Sequence, residues 1–465
     1  MVRVVICGTH PSQYNGYSKV VYELAKYIGS YTNIELHVFG FQNFYDGKEH
    51  KVERQLPKTV TVYDAFLNEE PKSKGFGETL IVDYLNRIQP DILIIYNDLV
   101  VITTLLDEIE KKLPSRRFKI YPYIDIVYQN EKNIMIEKIN SIVDGGIMFT
   151  EYWKNTIVTQ GFTKQLFVLE HGFSTDQYYP VPKHLARQFF TLSDEDFVIV
   201  NLNRNQPRKR WDICMMVFVK FVAMNRDKRI RMIIAASMNG SWDLIDIMIS
   251  ETRKYGMSLE DIKKHLVIMQ NPQQLTDFDI NVMYNAADVG INTCDGEGFG
   301  LCNFEQAGVG VPQVVPNIGG FKDFFDNDNA IVLDPKWSFY CDHSRDFVSG
   351  EAQICAVDDY VKGLQFLMDN PDSRKAMGEK ARSTIVNKYL WKDKGALFNS
   401  IIEDIYKKEF GDEYEKPVQI DIKKIMNEKA NKPVKPIDLK DDDLDKMDSE
   451  QLREFVRKMR QQNVG

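Results

Sequence analysis

The sequence predicts an α/β protein: two Rossmann-like domains facing a central cleft, followed by a C-terminal tail. Three observations carry this expectation. The chain has 465 residues, too many for a single hydrophobic core. Short β-rich runs alternate with amphipathic helical patterns, which implies parallel sheets covered by helices on both faces. The alternation stops near Pro180 and restarts at Phe197, so it occurs twice.

In the first half the strand candidates are Val2–Cys7, Glu35–Phe39, Val60–Tyr63, Ile92–Tyr96, Phe118–Tyr123 and Gly146–Phe149, with Gln165–Leu169 closing the set. Helical patterns at Ser18–Ile28, Leu80–Ile88 and Glu151–Gln160 lie between several of them. These elements assign residues 1–180 to an N-terminal domain and 181–196 to a linker. The second half continues with strand candidates Phe197–Asn201, Arg231–Ala236, Leu266–Met269 and Val289–Asn292. Its helical patterns are Trp211–Met224, Asp243–Tyr255, Phe278–Ala287, Asp358–Met368 and Ser373–Lys388, so residues 197–388 form a C-terminal domain. A further helix, Lys394–Tyr406, falls in a returning segment, 389–410. Beyond Gly411 the prolines and the acidic run Asp441–Asp443 predict a charged, partly disordered tail over 411–465. It ends in a helix from Ser449 with Leu452, Phe455, Val456 and Met459 on one face. That helix either docks on its own protein or anchors a partner or a membrane.

Composition excludes several classes. A net charge of -8 argues against nucleic acid as a partner, which would call for a basic face. Six scattered cysteines without a C-x-x-C pair read as free thiols in a reducing compartment and make zinc an unlikely resident. Met1–Cys7 enters a strand pattern directly, so no signal peptide is expected. Ile92–Leu106, the longest apolar stretch, is interrupted by Asn97 and Asp98 and falls short of the roughly 20 residues a membrane span needs. The expectation is a cytoplasmic protein without a transmembrane segment, with peripheral membrane contact left open. The basic cluster Lys111, Lys112, Arg116, Arg117 and Lys119 reads either as the solvated end of a helix or as a contact for anionic lipid.

The stretch Asp295-Gly-Glu-Gly-Phe-Gly-Leu-Cys-Asn-Phe-Glu305 holds the chemistry. A strand pattern precedes it and a helix start, Leu301–Gly308, follows Gly298-Phe299-Gly300. Strand, glycine turn and helix N-terminus together form an anion site, because free N–H groups and the helix dipole converge there. Glu297 and Glu305 flank this cradle. Acids on either side of a phosphate cradle suit a ligand with hydroxyls on both sides of its phosphates, such as a sugar nucleotide.

The spacing of Glu297 and Glu305 resembles the E-x7-E signature of retaining glycosyltransferases of family 4. Met283–Val289 and Gly308–Gly320 resemble the same family in order and spacing. The resemblance implies a GT-B fold and transfer of a sugar from a nucleotide-diphosphate sugar to an acceptor, a glycan, lipid or protein that the sequence does not identify. It implies that Glu297 faces the transferred sugar and Glu305 the ribose. Backbone N–H groups of Gly298, Phe299, Gly300 and Leu301 would hold sugar and phosphate. Arg204 and Lys209, just past a strand end, resemble the family's diphosphate-binding pair, with Arg208 as the rival to Lys209. Cations placed in advance stabilise the leaving group's growing charge. Met269 and Gln270 correspond to a strand end whose backbone reads the base. Gly16 resembles the family's glycine loop, although the family usually has two adjacent glycines. Where many members carry a His, this chain has Tyr121-Pro-Tyr-Ile-Asp125, and Asp125 reads equally as a sugar-binding carboxylate or as a helix cap.

No metal or other cofactor is expected, because the cations and the helix N-terminus can balance the diphosphate. Asp277-Phe278-Asp279 reads as a helix cap and not as a metal motif. A second reading is a glycosyltransferase-like protein that binds a sugar nucleotide or a partner without turnover. The presence of Glu297, Glu305, Arg204 and Lys209 argues against it. The insert Asp334–Ala356, with Trp337, Phe339 and Tyr340, either shapes the acceptor side or forms a surface loop.

Overall fold

A computed structural model describes residues 1–44, 54–69, 75–269, 275–411, 417–422, 450, 451, 453, 454 and 456. The first sheet contains β1 (Val2–Thr9), β2 (Ile34–Phe41), β3 (Val60–Asp64), β4 (Ile92–Asp98), β5 (Lys119–Ile120), β6 (Tyr123–Asp125), β7 (Gly145–Met148) and β8 (Gln165–Val168). Its order is β3-β2-β1-β4-β6-β7-β8, with β5 pairing β4. The second sheet contains β9 (Phe197–Asn201), β10 (Ile230–Ile234), β11 (Leu266–Ile268), β12 (Val289–Ile291), β13 (Gln313–Pro316) and β14 (Ile331–Leu333). Its order is β11-β10-β9-β12-β13-β14. Every pairing in both sheets is parallel.

Parallel strands covered on both faces must be apolar on both faces, and β1, β4 and β9 are buried through nearly their whole length. Strand order reverses between β1 and β4 in the first sheet and between β9 and β12 in the second. Loops at such switch points open a crevice beyond the strands' carboxyl ends. Here those loops are 10–15 after β1, 202–210 after β9 and 292–300 after β12, and the last two are joined by hydrogen bonds.

The sequence places most of these elements. It places the strand at 118–123 as one run, whereas the structure splits it into β5 and β6 around Pro122, which has no N–H to give a ladder. Helices Leu99–Lys112 and Asn133–Ile142 and strands β13 and β14 were not anticipated. The insert forms an antiparallel hairpin of β15 (Trp337–Cys341) and β16 (Gly350–Ile354).

Helix Trp391–Phe410 returns to the first half of the chain. Gly395 lies against Tyr27 of helix Gly16–Ile28, where a Cβ would find no room. Lys394 donates to Glu170 at 2.9 Å, and Phe173 exchanges backbone hydrogen bonds with Tyr389 and Trp391. A buried aromatic chain also crosses the molecule: Phe299 lies 6.2 Å from Phe149, 4.9 Å from Phe304 and 5.0 Å from Phe324 between ring centres.

Among the described tail residues, Val456 is buried in the main core and Arg453 donates to Asp279 at 2.9 Å. The described part of the terminal helix therefore docks on its own protein, while most of the proposed disordered stretch lies outside the described residues. In the basic cluster, Arg116 and Lys119 pair with Asp144, Lys119 also with Glu409, and Lys112 with Glu108. Among the described residues no helix is long and apolar enough to cross a membrane.

Candidate active site in the interdomain cleft

The glycine turn at 298–300 starts helix Leu301–Gly308. Gly300 sits at φ 86, left-handed backbone that side chains with a Cβ avoid, and Phe321 fills the space where that Cβ would go. The turn is fixed from both sides. The Trp153 indole N–H donates to the Gly298 carbonyl at 2.8 Å, and the Gly320 N–H donates to the same oxygen at 2.9 Å. Among the described residues no side chain caps the helix, which leaves its first N–H groups without a side-chain acceptor. The Phe299 ring belongs to the buried aromatic chain, which leaves its backbone as its contribution to the site.

Opposite this turn lies the loop after β9. Residues Pro207–Lys209 make one 3-10 turn, and Arg210 follows at φ 47. Backbone and side-chain bonds lace the loop to 293–295: the Asp295 N–H donates to the Arg208 carbonyl at 3.0 Å, and the Thr293 hydroxyl to that of Arg210 at 3.0 Å. This brings Lys209 onto Glu297, with which it forms a buried ion pair. Asn292 donates to the same carboxylate at 3.3 Å, and Arg208 lies 3.7 Å away. Burial pushes the Glu297 carboxyl up, but Lys209 and Arg208 outweigh it and hold it below the ordinary range. Arg208 and Lys209, offered as rivals by the sequence, both lie at Glu297, and one Arg208 nitrogen has no hydrogen-bond partner among the described residues. Arg204 is exposed, with Arg208, Tyr17 and Cys302 as its neighbours.

Glu305 lies one turn into the helix and is buried. Lys19 donates to its two oxygens at 3.1 and 3.0 Å, and the Tyr284 hydroxyl donates at 3.0 Å. Burial raises its pKa, opposed by Lys19. Lys19 also bonds Tyr178, whose hydroxyl donates to Asp277 at 3.3 Å. Asp277 in turn takes a bidentate pair from Arg54 at 3.0 and 3.1 Å. The reading of Asp277-Phe278-Asp279 as the cap therefore needs correction. Thr276 is the N-cap, Asp279 closes a capping box with it, and Asp277 is the partner of Arg54.

Asp125 stands at the end of β6, and the helix after it is entered through Lys132, so the helix-cap alternative falls. Its Oδ2 accepts from the Tyr17 hydroxyl at 2.6 Å, while Oδ1 is buried without a hydrogen-bond partner among the described residues. Oδ1 lies where a Cβ on Gly298 would be, which puts this carboxyl directly against the glycine turn. Burial first, with Asp98 and Glu297 nearby, pushes Asp125 up to about 7. Gly16 is the first residue of helix Gly16–Ile28, capped by Asn15, and lies beside Leu301. Met269 is half-buried and its N–H donates to Ile234, whereas Gln270 lies outside the described residues. His171, just after β8, is a structural group: it contacts Tyr96, Tyr123 and Phe299, and burial lowers its pKa to about 3.

Sequence reasoning missed Tyr17, Lys19, Arg54, Tyr178 and Tyr284. Lys19 stands three residues past Gly16 on the same helix, and that spacing was the one available signal. Arg54 and Tyr178 reach the site only through tertiary folding.

Residues 268–398 match the family model described as glycosyl transferase-like. The chain is 24% identical over 220 residues to D-inositol 3-phosphate glycosyltransferase of Corynebacterium aurimucosum, covering 46% of this chain and 46% of that protein. The protein of the same name from Gordonia bronchialis is 24% identical over 222 residues, covering 46% of this chain and 42% of that one. The chain thus spans under half the length of the curated relatives it matches. Sucrose-phosphate synthase from Thermosynechococcus elongatus superposes with a TM-score of 0.64 at 13% identity, over 88% of this chain and 100% of that one. HepE from Anabaena, in complex with UDP and glucose, does so with a TM-score of 0.62 at 12% identity, over 86% and 99%. The fold is GT-B.

Proposed function

We propose that this protein is a glycosyltransferase that moves a sugar from a nucleotide-diphosphate donor to an acceptor with retention of anomeric configuration. One observation carries the reading. Arg208 and Lys209, with Arg204 beside them, gather at Glu297, three residues before a helix N-terminus that no side chain caps. That combination suits a diphosphate leaving group, whose charge grows as its bond to the sugar breaks. The family match over 268–398 and the names of the curated relatives support it.

In this reading the diphosphate lies against Arg204, Arg208, Lys209 and the N–H groups of Gly298 to Leu301. Lys209 is shared between Glu297 and the incoming phosphate. Glu297 and Asp125 accept hydrogen bonds from the sugar's hydroxyls, and Tyr17 holds Asp125 in place. Glu305 accepts from the ribose, and the backbone at Met269 faces the base. The acceptor oxygen bonds the anomeric carbon on the face from which the phosphate departs, and its proton passes to a donor phosphate oxygen. No enzyme nucleophile is needed, and the cations already present balance the diphosphate without a metal.

The test is a panel of nucleotide sugars assayed for hydrolysis and for thermal stabilisation. UDP-sugars come first, because the HepE complex contains UDP and glucose. Stabilisation and slow hydrolysis by one donor, undiminished in EDTA, are expected. A panel that neither stabilises nor turns over defeats the donor reading. Loss in EDTA with rescue by manganese or magnesium defeats metal independence.

A further inference from the structure

The hairpin β15–β16 carries exposed aromatic side chains, with the Arg345 guanidinium 5.7 Å from the centre of the Phe339 ring. Trp337 is 62% exposed, Phe339 40%, Tyr340 65% and Phe347 79%. In an antiparallel pair, residues directly opposite each other share a face, as do residues two apart on one strand. Trp337, Phe339 and Cys341 therefore lie on one face with Ile354, Ala352 and Gly350. At its inner end Cys341 and Ala352 are buried against Val127 and Tyr128 of the first domain. The same face continues through Phe339 to Trp337 as an aromatic strip.

The strip is fastened to the site. The Gln353 N–H donates to the Asp295 carbonyl at 2.9 Å, two residues from Glu297. Arg345 bonds the Asp295 carboxylate and donates to the Pro207 carbonyl at 3.0 Å, in the loop that carries Arg208 and Lys209. Two residues back from Gln353 on the same strand, the Glu351 N–H donates to the Gln129 carbonyl at 2.7 Å. The hairpin thus spans donor loop and first domain at the mouth of the cleft.

Charge decides what the strip suits. The stretch 334–354 carries four carboxylates (Asp334, Asp342, Asp346, Glu351) against Lys336 and Arg345. Both cations are paired, Arg345 with Asp295 and Lys336 with Asp359 at 3.6 Å. A surface of this sign repels anionic lipid and phosphorylated partners. Exposed aromatic faces with a negative quadrupole suit the C–H faces of neutral sugar rings.

We propose that the hairpin is an acceptor-binding platform for a neutral oligosaccharide, whose far units stack on Phe339 and Trp337 while its end reaches Glu297 and Asp125. The acceptor's role, though not the binding itself, rests on the sugar-transfer reading. The whole chain is titrated by calorimetry with maltoheptaose, cellohexaose, chitohexaose and mannohexaose, beside the corresponding monosaccharides. Vesicles containing phosphatidylserine form a separate arm. At least one oligosaccharide is expected to bind about tenfold more tightly than its monosaccharide. Trp337→Ala and Phe339→Ala should each weaken it about tenfold, or ~1.4 kcal/mol. Trp337→Phe should retain most of the affinity, and stabilisation by UDP should not change in any variant. The platform is overturned if none of the four oligosaccharides binds, if Trp337→Ala binds like the parent, or if the strip binds vesicles instead. Nucleotide-sugar hydrolysis is read separately. Turnover without oligosaccharide binding removes only the platform, and binding without turnover removes only the donor reading.

Discussion

Lys209 and Arg204 have the same proposed partner and opposite surroundings, which separates catalysis from stability. Lys209 is buried on Glu297, whereas Arg204 is exposed. Removing one member of a buried ion pair costs about 3–5 kcal/mol where the other charge is left alone, and here the cost should fall below that range because Arg208 and Asn292 remain at Glu297. Lys209→Ala should therefore lower both the melting temperature and turnover, whereas Arg204→Ala should lower turnover alone. Each turnover loss should be about 10²–10³, as for removal of one preorganised donor. Thermal melts beside steady-state rates check this, and parent-like rates in both variants exclude the diphosphate role. Asp125 adds a pH test. Its carboxyl titrates at about 7 in the folded chain, against 3.8 ordinarily, with burial the main cause. The folded state therefore holds this proton more tightly than the unfolded chain does. That contribution to stability is full below pH 3.8 and is lost as pH rises through about 7. If the ionised form accepts from the sugar, kcat/KM for the donor rises with pH, with a midpoint near 7, and the rise disappears in Asp125→Asn. The same midpoint in Asp125→Asn would assign it to another group. At this scale the sequence made Glu297, Glu305, Lys209 and Asp125 legible, because each stands beside a glycine turn or a strand end. For Lys19, 286 positions from its partner, it offered only the spacing from Gly16, and for Arg54, 223 positions from its partner, it offered no local spacing to read.

The glycine turn makes a second distinction at the level of elements. Gly298 has ordinary backbone but lies against Asp125 and Phe149, while Gly300 needs φ 86 and has Phe321 behind it. Gly300→Ala should destabilise the protein by at least ~1–3 kcal/mol, the cost of forcing a residue with a Cβ into the left-handed region. Gly298→Ala should be milder for the fold but displace the Asp125 carboxyl and reduce transfer. Equilibrium unfolding beside turnover separates them, and equal stability in the two variants would contradict the backbone argument. The glycine turn and the long buried strands were legible because continuous apolar runs between turn residues survive any tertiary context. Strands β13 (four residues) and β14 (three) were not. The hairpin was also missed. Trp337-Ser-Phe-Tyr-Cys341 does not alternate between apolar and polar residues, since the face away from the first domain carries Tyr340.

Across the whole molecule the two halves are tied by charge as well as by the aromatic chain. Lys19 reaches Glu305, and Arg54 reaches Asp277, with Tyr178 between the two carboxylates. Glu305, the proposed ribose partner, is thus held by the opposite domain, so donor binding and domain closure draw on the same carboxylate. Arg54 also donates to the carbonyls of Pro11 and Gln13 and to Ser18, so a change at Arg54 alone mixes loop and interdomain effects. A double-mutant cycle removes the mixture. Arg54→Met and Asp277→Asn should each destabilise the protein, and the pair together should cost less than the sum. The expected coupling is about 0.5–3 kcal/mol, the range for residues in contact or in one ion-pair network. Both single variants should also give a larger radius of gyration in solution scattering, and UDP should restore the parent value if it draws the domains together. Additive energies with an unchanged radius would mean that the aromatic chain and helix Trp391–Phe410 hold the domains without help from this network.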